Sequence, residues 1–192
     1  MIDKKLLRKH ISELKKRHTP EVLRQMSASL TNSLLANEKV RSAKAIMLYW
    51  SLPDEVYTHD MVRLLAKKGH TVLLPKVQAD NELTLHRYTN DADLQRGAYG
   101  IMEPATPALT ANECKQLLDS NSVSIIPGVA FSTDGHRLGR GKGYYDRLLS
   151  RLTLTYKIGL CFNFQILEDI PYDSHDICMD MIWQTDANKM QC

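Results

Sequence analysis

Residues 127–147 read PGVAFSTDGHRLGRGKGYYDR, and this stretch decides how the rest of the chain is interpreted. It follows Val123–Ile126, an apolar run typical of a buried strand, and leads into Tyr144–Leu152, where apolar residues recur at helical spacing. Between strand and helix, three alternate glycines are interleaved with the cations Arg140 and Lys142. Glycine lets backbone N–H groups approach a ligand closely, and a helix N-terminus adds unpaired donors. The stretch therefore predicts a cradle for an anion and favours phosphate.

The cradle matches neither of two familiar nucleotide-binding loops. A Walker A loop has four residues between its first glycine and its Gly-Lys pair, whereas five separate Gly135 from Gly141. Gly143 also replaces the hydroxyl residue that binds magnesium in that loop. A dinucleotide-binding fingerprint needs glycine or alanine where Tyr144 stands. A surface loop with incidental cations stays open as an alternative. Three glycines and three cations, Arg137, Arg140 and Lys142, directly before a helix argue against a simple connector.

The bulk composition indicates a globular protein of one domain. The chain has 192 residues, of which 43% are hydrophobic and 24% charged. It contains no apolar run of membrane-spanning length and no apolar signal core after Met1, so we expect a cytoplasmic location and no membrane partner. Four widely spaced cysteines without a C-x-x-C pair argue against disulfides and zinc. Any metal is expected on carboxylates, which favour a hard ion.

Positive charge is concentrated near the N-terminus. The net charge of +3 is too small to indicate nucleic-acid binding, but residues 1–24 hold eight Lys or Arg against three acids. Asp3 is a suitable cap for a helix that runs to about Arg17. Its apolar stripe consists of Leu7, Ile11 and Leu14. The opposite side carries Lys5, Arg8, Lys9, Ser12 and Lys16, which form either an ordinary solvent-exposed face or a second set of phosphate contacts.

The remaining pattern alternates strands with helices. Further helices are predicted to begin at Thr19-Pro20, Thr58 and Thr110, and Gly69 ends the one that Thr58 caps. Strands are predicted at Ala43–Trp50, Thr71–Leu74, Glu82–Tyr88, Val123–Ile126, Tyr156–Phe162 and, at an edge, Met179–Trp183. Residues 97–107 are predicted to be loop. This order favours an α/β sandwich with a mostly parallel sheet, in which residues 51–55 and 127–143 follow strands and line one crevice.

Several side chains near these loops are candidates for the site. Asp146 lies in the first turn of the helix after the glycines, where a carboxylate is favoured in any case. Beside a phosphate it is also a candidate magnesium ligand. Glu55 follows a buried strand and is either a surface acid or a residue that orients a ligand. The aromatic residues Trp50, Tyr57, Tyr99, Tyr144 and Tyr145 form either a flat-ring pocket or half-buried packing.

These segments together resemble the 5-formyltetrahydrofolate cyclo-ligase family, also called methenyltetrahydrofolate synthetases. The main likeness is the stretch from Gly128 to Arg147, from which Ser132 departs because aspartate is common there. Other similar blocks are Lys4-Lys5-x-Leu7-Arg8, Asp54-Glu55-Val56-x-Thr58, Tyr99-Gly100-Ile101-x-Glu103-Pro104 and His175-Asp176-x-x-x-Asp180. They occur in the family's order over nearly the whole chain. Ser132 precedes the cradle, so its departure affects little.

The resemblance implies an ATP- and magnesium-dependent ligase that cyclises 5-formyltetrahydrofolate to 5,10-methenyltetrahydrofolate and releases ADP and phosphate. The formyl oxygen would attack the γ-phosphoryl group to give an iminium phosphate, and N10 would then close the ring. Phosphoryl transfer requires positioning and charge neutralisation rather than a protein nucleophile. The lack of a Ser-His-Asp or Cys-His arrangement is therefore expected.

The resemblance also implies a role for individual residues. ATP contacts are expected from Lys4, Lys5, Leu6, Leu7, Arg8, Arg137, Leu138, Gly139, Arg140, Gly141, Lys142, Gly143, Tyr144 and Tyr145. Folate contacts are expected from Trp50, Glu55, Arg140, Gly141, Lys142, Gly143 and Tyr144. Magnesium (Mg²⁺) is expected on Asp146 and Asp176, while Asp180 is either a further ligand or structural.

The expected fold class is α/β, a three-layer Rossmann-like sandwich with a mostly parallel central sheet and N-terminal helices. Residues 1–192 are expected to form a single domain, with the helical segment 1–36 packed on it. We expect a monomer that binds ATP and a folate with or without a polyglutamate tail, and no nucleic acid. Two other functions stay open: a nucleotide- or folate-binding regulator without turnover, and a sugar-phosphate or CoA-handling protein of similar architecture.

Overall fold

A six-stranded sheet forms the centre of the structure, a computed structural model that describes residues 3–79, 82–97 and 102–184. The helices are α1 (Lys4–Lys16), α2 (Pro20–Leu35), α3 (Glu38–Ser42), α4 (His59–Lys67), α5 (Ala111–Leu117) and α6 (Tyr144–Leu149). The strands are β1 (Ala45–Met47), β2 (Thr71–Val77), β3 (Leu83–Tyr88), β4 (Leu94–Arg96), β5 (Met102–Pro104), β6 (Ser122–Pro127), β7 (Ala130–Ser132), β8 (Arg137–Leu138), β9 (Tyr156–Leu160), β10 (Ile166–Leu167) and β11 (Met181–Trp183). Within these residues, no helix combines the length and apolar character needed to cross a membrane.

The strand order confirms a mostly parallel sheet. The order is β11-β9-β6-β1-β2-β3, and β3 pairs antiparallel with β2 while the other neighbours are parallel. From the centre of the sheet, the chain runs outward from β1 to β2 on one side and from β6 to β9 on the other. The order therefore reverses between β1 and β6. In open α/β sheets, this switch point is where loops diverge and leave a crevice for a ligand.

Side chains that alternate along the strands pack into two apolar cores, one on each face of the sheet. This confirms the predicted sandwich of a sheet between two layers of helices. Ile46 of β1 faces one core with Leu30 of α2 and Val62 of α4. Its neighbour Met47 faces the other core with Leu148 of α6. Successive residues of a strand point to opposite faces, so a strand that is apolar at every position must be covered on both sides. Helices α2 to α4 cover one face, and α5 and α6 cover the other.

Helix α1 packs on a small separate sheet of β10, β7 and β8. Ile11 is fully buried with Ala130, Leu138 and Ile170, and the other stripe residues predicted from the sequence, Leu7 and Leu14, lie against the same group. Asp3 caps the helix as predicted and accepts a hydrogen bond from the Lys5 backbone N–H at 2.8 Å. The helix is thereby held beside the β7–β8 hairpin, whose second strand leads into the glycines.

Some predicted element bounds were wrong. Strand β1 is shorter than the predicted Ala43–Trp50 because the chain leaves the ladder after Leu48, and the Tyr49 carbonyl instead accepts from the Thr58 hydroxyl at 2.5 Å. That hydroxyl makes no helix cap, although Thr58 occupies the cap position. The segment 97–107 is not all loop, since Met102–Pro104 pairs with Leu94–Arg96.

Other differences from the predicted elements arise from contacts that a local sequence pattern does not reveal. Helix α6 ends at Leu149, not Leu152, because the backbone N–H groups of Arg151 and Leu152 bond three residues back in a tighter turn. The β7–β8–β10 sheet joins segments distant in sequence and was not predicted. Tyr99, Gly100 and Ile101 of the predicted family block lie outside the described residues.

Replacing Ile11 should test how much α1 depends on its small core. We expect Ile11→Ala to lower the free energy of unfolding by about 2–4 kcal/mol, because a buried isoleucine leaves a cavity when truncated. Leu6→Ala on the same helix is the matched control, since Leu6 is 64% exposed and its loss should cost less than about 0.5 kcal/mol. Urea denaturation followed by circular dichroism measures both, and equal losses would contradict the packing.

Candidate functional site

A pocket of about 310 Å³ lies where the segments after β1 and β6 meet the first helix. We call it the clasp pocket. It is lined by Lys4, Arg8, Glu55, Pro127, Gly128, Val129, Arg137, Leu138, Gly139, Arg140, Gly141, Lys142, Gly143, Tyr144, Tyr145, Asp146, Asp173, His175 and Asp176. The predicted crevice between residues 51–55 and 127–143 is confirmed through Glu55 and the glycine stretch. The pocket occupies the switch point of the sheet, where a ligand is expected.

The glycine loop requires residues without a side chain at two positions. Gly141 and Gly143 have φ values of +97° and +66°, in the left-handed region that side chains disfavour. Gly143 is also the N-cap of α6, so the loop turns directly into the helix. Arg8 of α1 donates from Nε to the Gly139 carbonyl at 2.8 Å. This hydrogen bond ties the first helix to the loop.

Arg140 closes the loop against the segment that follows β1. Its Nη2 donates to Asp54 Oδ1 at 2.6 Å and to Glu55 Oε1 at 3.3 Å. Lys15 of α1 reaches the same place and donates to the Asp54 carbonyl at 2.6 Å. Burial alone would raise the pKa of Asp54, but the charges of Lys15 and Arg140 hold it below its ordinary value. The pair therefore stays ionised at neutral pH and holds the loop down.

Arg137 and Asp146 form the most buried ion pair of the pocket wall. Their side chains are 5% and 15% exposed, and Arg137 Nη2 donates to Asp146 Oδ1 at 2.8 Å. Arg137 Nε is buried and has no hydrogen-bond partner among the described residues. Beside this pair, burial and the nearby Glu55 carboxylate raise the pKa of Tyr145 far above its ordinary value. Tyr145 is therefore a neutral phenol, able to donate a hydrogen bond.

The opposite wall of the pocket is acidic and pairs with the start of α1. Lys4 Nζ donates to Asp173 Oδ2 at 2.8 Å and to Asp176 Oδ2 at 3.1 Å. Burial would raise the pKa of Asp176, but the Asp173 backbone N–H and the Lys4 charge lower it overall. One ligand atom from each of Asp173, His175 and Asp176 lies within 4.8 Å of the others, close enough to share a metal ion.

The structure brings most of the predicted site residues together. The residues that line the clasp pocket as predicted are Lys4, Arg8, Glu55, Arg137, Leu138, Gly139, Arg140, Gly141, Lys142, Gly143, Tyr144, Tyr145, Asp146 and Asp176. Lys5, Leu6 and Leu7 are not among the lining residues. Each helical residue is rotated by about 100° from the last, so a run of five cannot face one pocket. Leu7 instead packs on the β7–β8 hairpin.

Trp50 also does not line the clasp pocket. Its ring stacks on His59 with the centroids 3.9 Å apart and lies 6.1 Å from Tyr88. Burial lowers the pKa of His59, so the ring that covers Trp50 is neutral near pH 7. Of the two readings of this tryptophan, the structure shows packing.

Several residues of the site were missed from the sequence. Asp173 lines the pocket and pairs with Lys4, and the only signal was the acidic run in which it lies. Asp54 holds Arg140 from 86 residues away, which no local pattern indicates. Asp180, which was named from the sequence with its role left open, does not line the clasp pocket. Its carboxylate accepts from the Lys157 backbone N–H at 2.7 Å and pairs with the Lys157 ammonium at 2.9 Å.

A contact between cysteine and histidine is also present, against expectation. Cys178 Sγ lies 3.3 Å from His136 Nδ1, and His136 Nε2 lies 3.6 Å from Asp134. Burial and the carboxylates of Asp134 and Asp176 raise the pKa of Cys178. The thiol is therefore mostly protonated at neutral pH and is a poor nucleophile. Neither Cys178 nor His136 lines the clasp pocket.

Comparison with known proteins identifies a family over almost the whole chain. The model of the 5-formyltetrahydrofolate cyclo-ligase family matches residues 1–185. A relative from Mus musculus named 5-formyltetrahydrofolate cyclo-ligase is 31% identical over 191 residues, covering 92% of each chain. The solved structure of the 5,10-methenyltetrahydrofolate synthetase of Aquifex aeolicus has a TM-score of 0.80 at 32% identity, covering 95% of this chain and 90% of its own. That of Mycoplasma pneumoniae has a TM-score of 0.74 at 28% identity, covering 95% and 98%.

The pair of Arg140 with Asp54 should make a small, pH-dependent contribution to stability. The pKa of Asp54 is lowered in the folded chain, so its contribution is present above the unfolded value near 3.8 and is lost as the pH falls through the folded value. Both side chains are about half exposed, so Asp54→Asn should cost only about 0.5–1 kcal/mol at pH 7. At pH 3 the difference from the wild type should be smaller.

Urea titrations at the two pH values measure this difference. Asp169→Asn is the control, because Asp169 is exposed and makes no ion pair within residues 3–79, 82–97 and 102–184. A cost for Asp54→Asn that is unchanged between pH 7 and pH 3 would show that the lost interaction is not ionic.

Proposed function

We propose that the clasp pocket is the catalytic site of this chain, which belongs to the 5-formyltetrahydrofolate cyclo-ligase family. Members of the family convert 5-formyltetrahydrofolate to 5,10-methenyltetrahydrofolate with ATP, and this chain is an ATP-dependent ligase of that kind. The observation that supports the location is the meeting of five Lys or Arg side chains, from α1 and from the glycine loop, in one pocket. A polyphosphate is the ligand that such a set of cations suits.

The triphosphate lies between α1 and the glycine loop. Lys4 and Arg8 approach from the helix, while Arg140 and Lys142 approach from the loop. Lys142 is exposed and makes no ion pair within the part of the chain that the structure describes, so its charge is available to a ligand. The glycines leave backbone N–H groups uncovered by side chains, which allows phosphate oxygens to approach.

The residues at the acidic wall fit a magnesium ion. Asp176 sits in a group of ligand atoms close enough to share one cation, and the Lys4 ammonium already binds there as a positive charge. Carboxylate oxygens are the donors that magnesium prefers. Asp146 and Asp176 would hold the ion, with Asp173 as an additional candidate, and the bound ion would offset charge on the phosphates.

The reaction needs two displacements and no protein nucleophile. The formyl oxygen attacks the γ-phosphorus, the bond to the β-phosphate oxygen breaks, and ADP leaves. N10 then attacks the formyl carbon of the resulting iminium phosphate and the ring closes. Phosphate leaves with the formyl oxygen and takes up the proton that N10 loses. The cations of the loop stabilise the charge that develops on the transferred group, which is the main catalytic requirement of phosphoryl transfer.

The folate approaches the same loop from the side of Glu55. Glu55 is only 12% exposed, and its Oε2 accepts from the Leu52 backbone N–H at 3.0 Å, so the carboxylate is held in place. Tyr144 and the glycines between it and Arg140 form the wall beside it. Trp50 is not among these residues.

We assign the chain to the cytoplasm as a monomer of one domain.

The direct test of the function is to incubate the purified chain with 5-formyltetrahydrofolate, ATP and magnesium. Formation of the methenyl product should appear as a rise in its near-ultraviolet absorbance, with one ADP released per product. Omitting ATP should abolish the rise. Tight ATP binding by folded protein without product or ADP would instead support the regulator alternative.

Loop cations should matter for the reaction and not for folding. Lys142→Ala and Arg140→Ala should each lower kcat/KM on the order of 100-fold, because each removes a charge that faces the transferred phosphoryl group. Lys67→Ala, an exposed lysine on α4, is the control and should match the wild type. Thermal melts should change little in all three variants, and unfolding of both loop variants would favour a purely structural loop.

Lys4 and Lys5 test whether the family resemblance or the lining of the pocket better predicts the ATP contacts. Both were expected to contact ATP, but Lys4 lines the clasp pocket and Lys5 is exposed outside it. Lys4→Ala should raise the KM for ATP by about tenfold, the effect of one charged contact, while Lys5→Ala should raise it less than about twofold. Steady-state kinetics with ATP varied measure both, and a larger effect for Lys5→Ala would overturn this placement.

A further inference from the structure

A second cavity, of about 490 Å³, lies on the face of the sheet that α5 and α6 cover. We call it the edge pocket, because one wall is β3, the antiparallel edge strand. Leu83 and Leu85 of β3 face Cys114 of α5 and Leu148 of α6 across it. Its volume lies within the range of about 300–1,000 Å³ that is usual for small-molecule sites, and it is larger than the clasp pocket.

The lining of the edge pocket has a definite chemical character. Of the twelve described residues that line it, five are leucines, two are the cations Lys115 and Arg151, and none is an acid. Lys115 is exposed and makes no ion pair in the described ranges. Arg151 pairs with Glu82, which also pairs with Arg147 and is not among the described lining residues. The rim is therefore net positive over an apolar floor.

We propose that the edge pocket binds an apolar carboxylate, a molecule with a hydrocarbon body and one anionic end. The leucine floor removes a hydrocarbon body from water, which is the main source of affinity in such sites. Lys115 and Arg151 hold the carboxylate at the rim through charge-assisted hydrogen bonds. A polyphosphate suits this pocket poorly, because its floor offers leucines where phosphate oxygens need donors.

The edge pocket is separate from the clasp pocket and shares no lining residue with it. The two lie at opposite ends of α6: Tyr144 to Asp146 line the first, while Leu148 and the residues just after the helix line the second. The proposal goes beyond the catalytic function, because both substrates of that reaction are assigned to the clasp pocket. Its test measures binding alone and does not depend on turnover.

Decanoate, an unbranched apolar monocarboxylate, is the probe, used below its micelle concentration with decanol as the uncharged analogue. Isothermal titration should show saturable binding of one equivalent of decanoate to the full chain and about tenfold weaker binding of decanol. Absence of saturable decanoate binding would overturn the proposal. Equal affinity for decanol would overturn the role of the two cations.

Thiol labelling locates the bound probe. Cys114 lines the edge pocket and is partly buried, whereas Cys178 is exposed and lies outside both pockets, so it serves as an internal reference. In a Cys192→Ser background, decanoate should slow the labelling of Cys114 by a maleimide and leave that of Cys178 unchanged. Equal protection of both thiols, or of neither, would contradict binding in this pocket.

Two variants of the pocket complete the test. Lys115→Gln/Arg151→Gln should weaken decanoate binding by about tenfold, while Lys67→Gln/Lys68→Gln removes two exposed cations elsewhere and should leave it unchanged. Ala111→Trp places a large side chain at an exposed lining position and should abolish binding without lowering the melting temperature. Unchanged affinity in both pocket variants would place the probe elsewhere and overturn the assignment.

Discussion

The packing of α1 on the β7–β8 hairpin is the contact on which the site depends. The helix buries Ile11 against Leu138, and this fixes its rotation about its own axis. With about 3.6 residues per turn, Lys4, Arg8 and Lys15 then share one side of the helix. That side meets the acidic wall, the Gly139 carbonyl and Asp54 in turn. An apolar stripe with no chemistry of its own thus decides which cations of a basic helix reach the pocket.

The three glycines of the loop answer two different steric demands. A Cβ on Gly139 would lie 2.9 Å from Arg137 Nη1, so a side chain there would disturb the arginine that pairs with Asp146. Gly141 and Gly143 are required by their positive φ values. The alternate spacing therefore lets the chain bend twice without a side chain that would displace Arg137 or Arg147. This explains why the pattern fits neither the Walker A loop nor the dinucleotide fingerprint, which cradle phosphate with other backbone paths.

Sequence reasoning succeeded where the physical signal is local. Burial on two faces made the central strands apolar throughout, and the stripe of α1 repeats at helical spacing, so both were predictable. It failed where a partner is distant: Asp54 pairs with Arg140 across 85 intervening residues, and the strand β7 pairs with β10 from far along the chain. The resemblance implied Lys5 and Trp50 as ligand contacts, and neither lines the clasp pocket, because of helical rotation at Lys5 and the stack of Trp50 on His59. Their contacts with a ligand stay predictions.

Three cations of the clasp pocket, Lys4, Arg137 and Arg140, are paired with carboxylates, and the pairs differ in how readily they exchange. Lys4 with Asp173 and Arg140 with Asp54 are partly exposed, and pairs of this kind contribute less than about 1 kcal/mol, so an incoming phosphate can replace the carboxylate at small cost. Arg137 with Asp146 is nearly buried, and breaking it would leave an unpaired charge inside the wall, which costs about 3–5 kcal/mol. The buried pair therefore stays formed and positions the start of α6, while the exposed pairs supply the cations that a phosphate would meet.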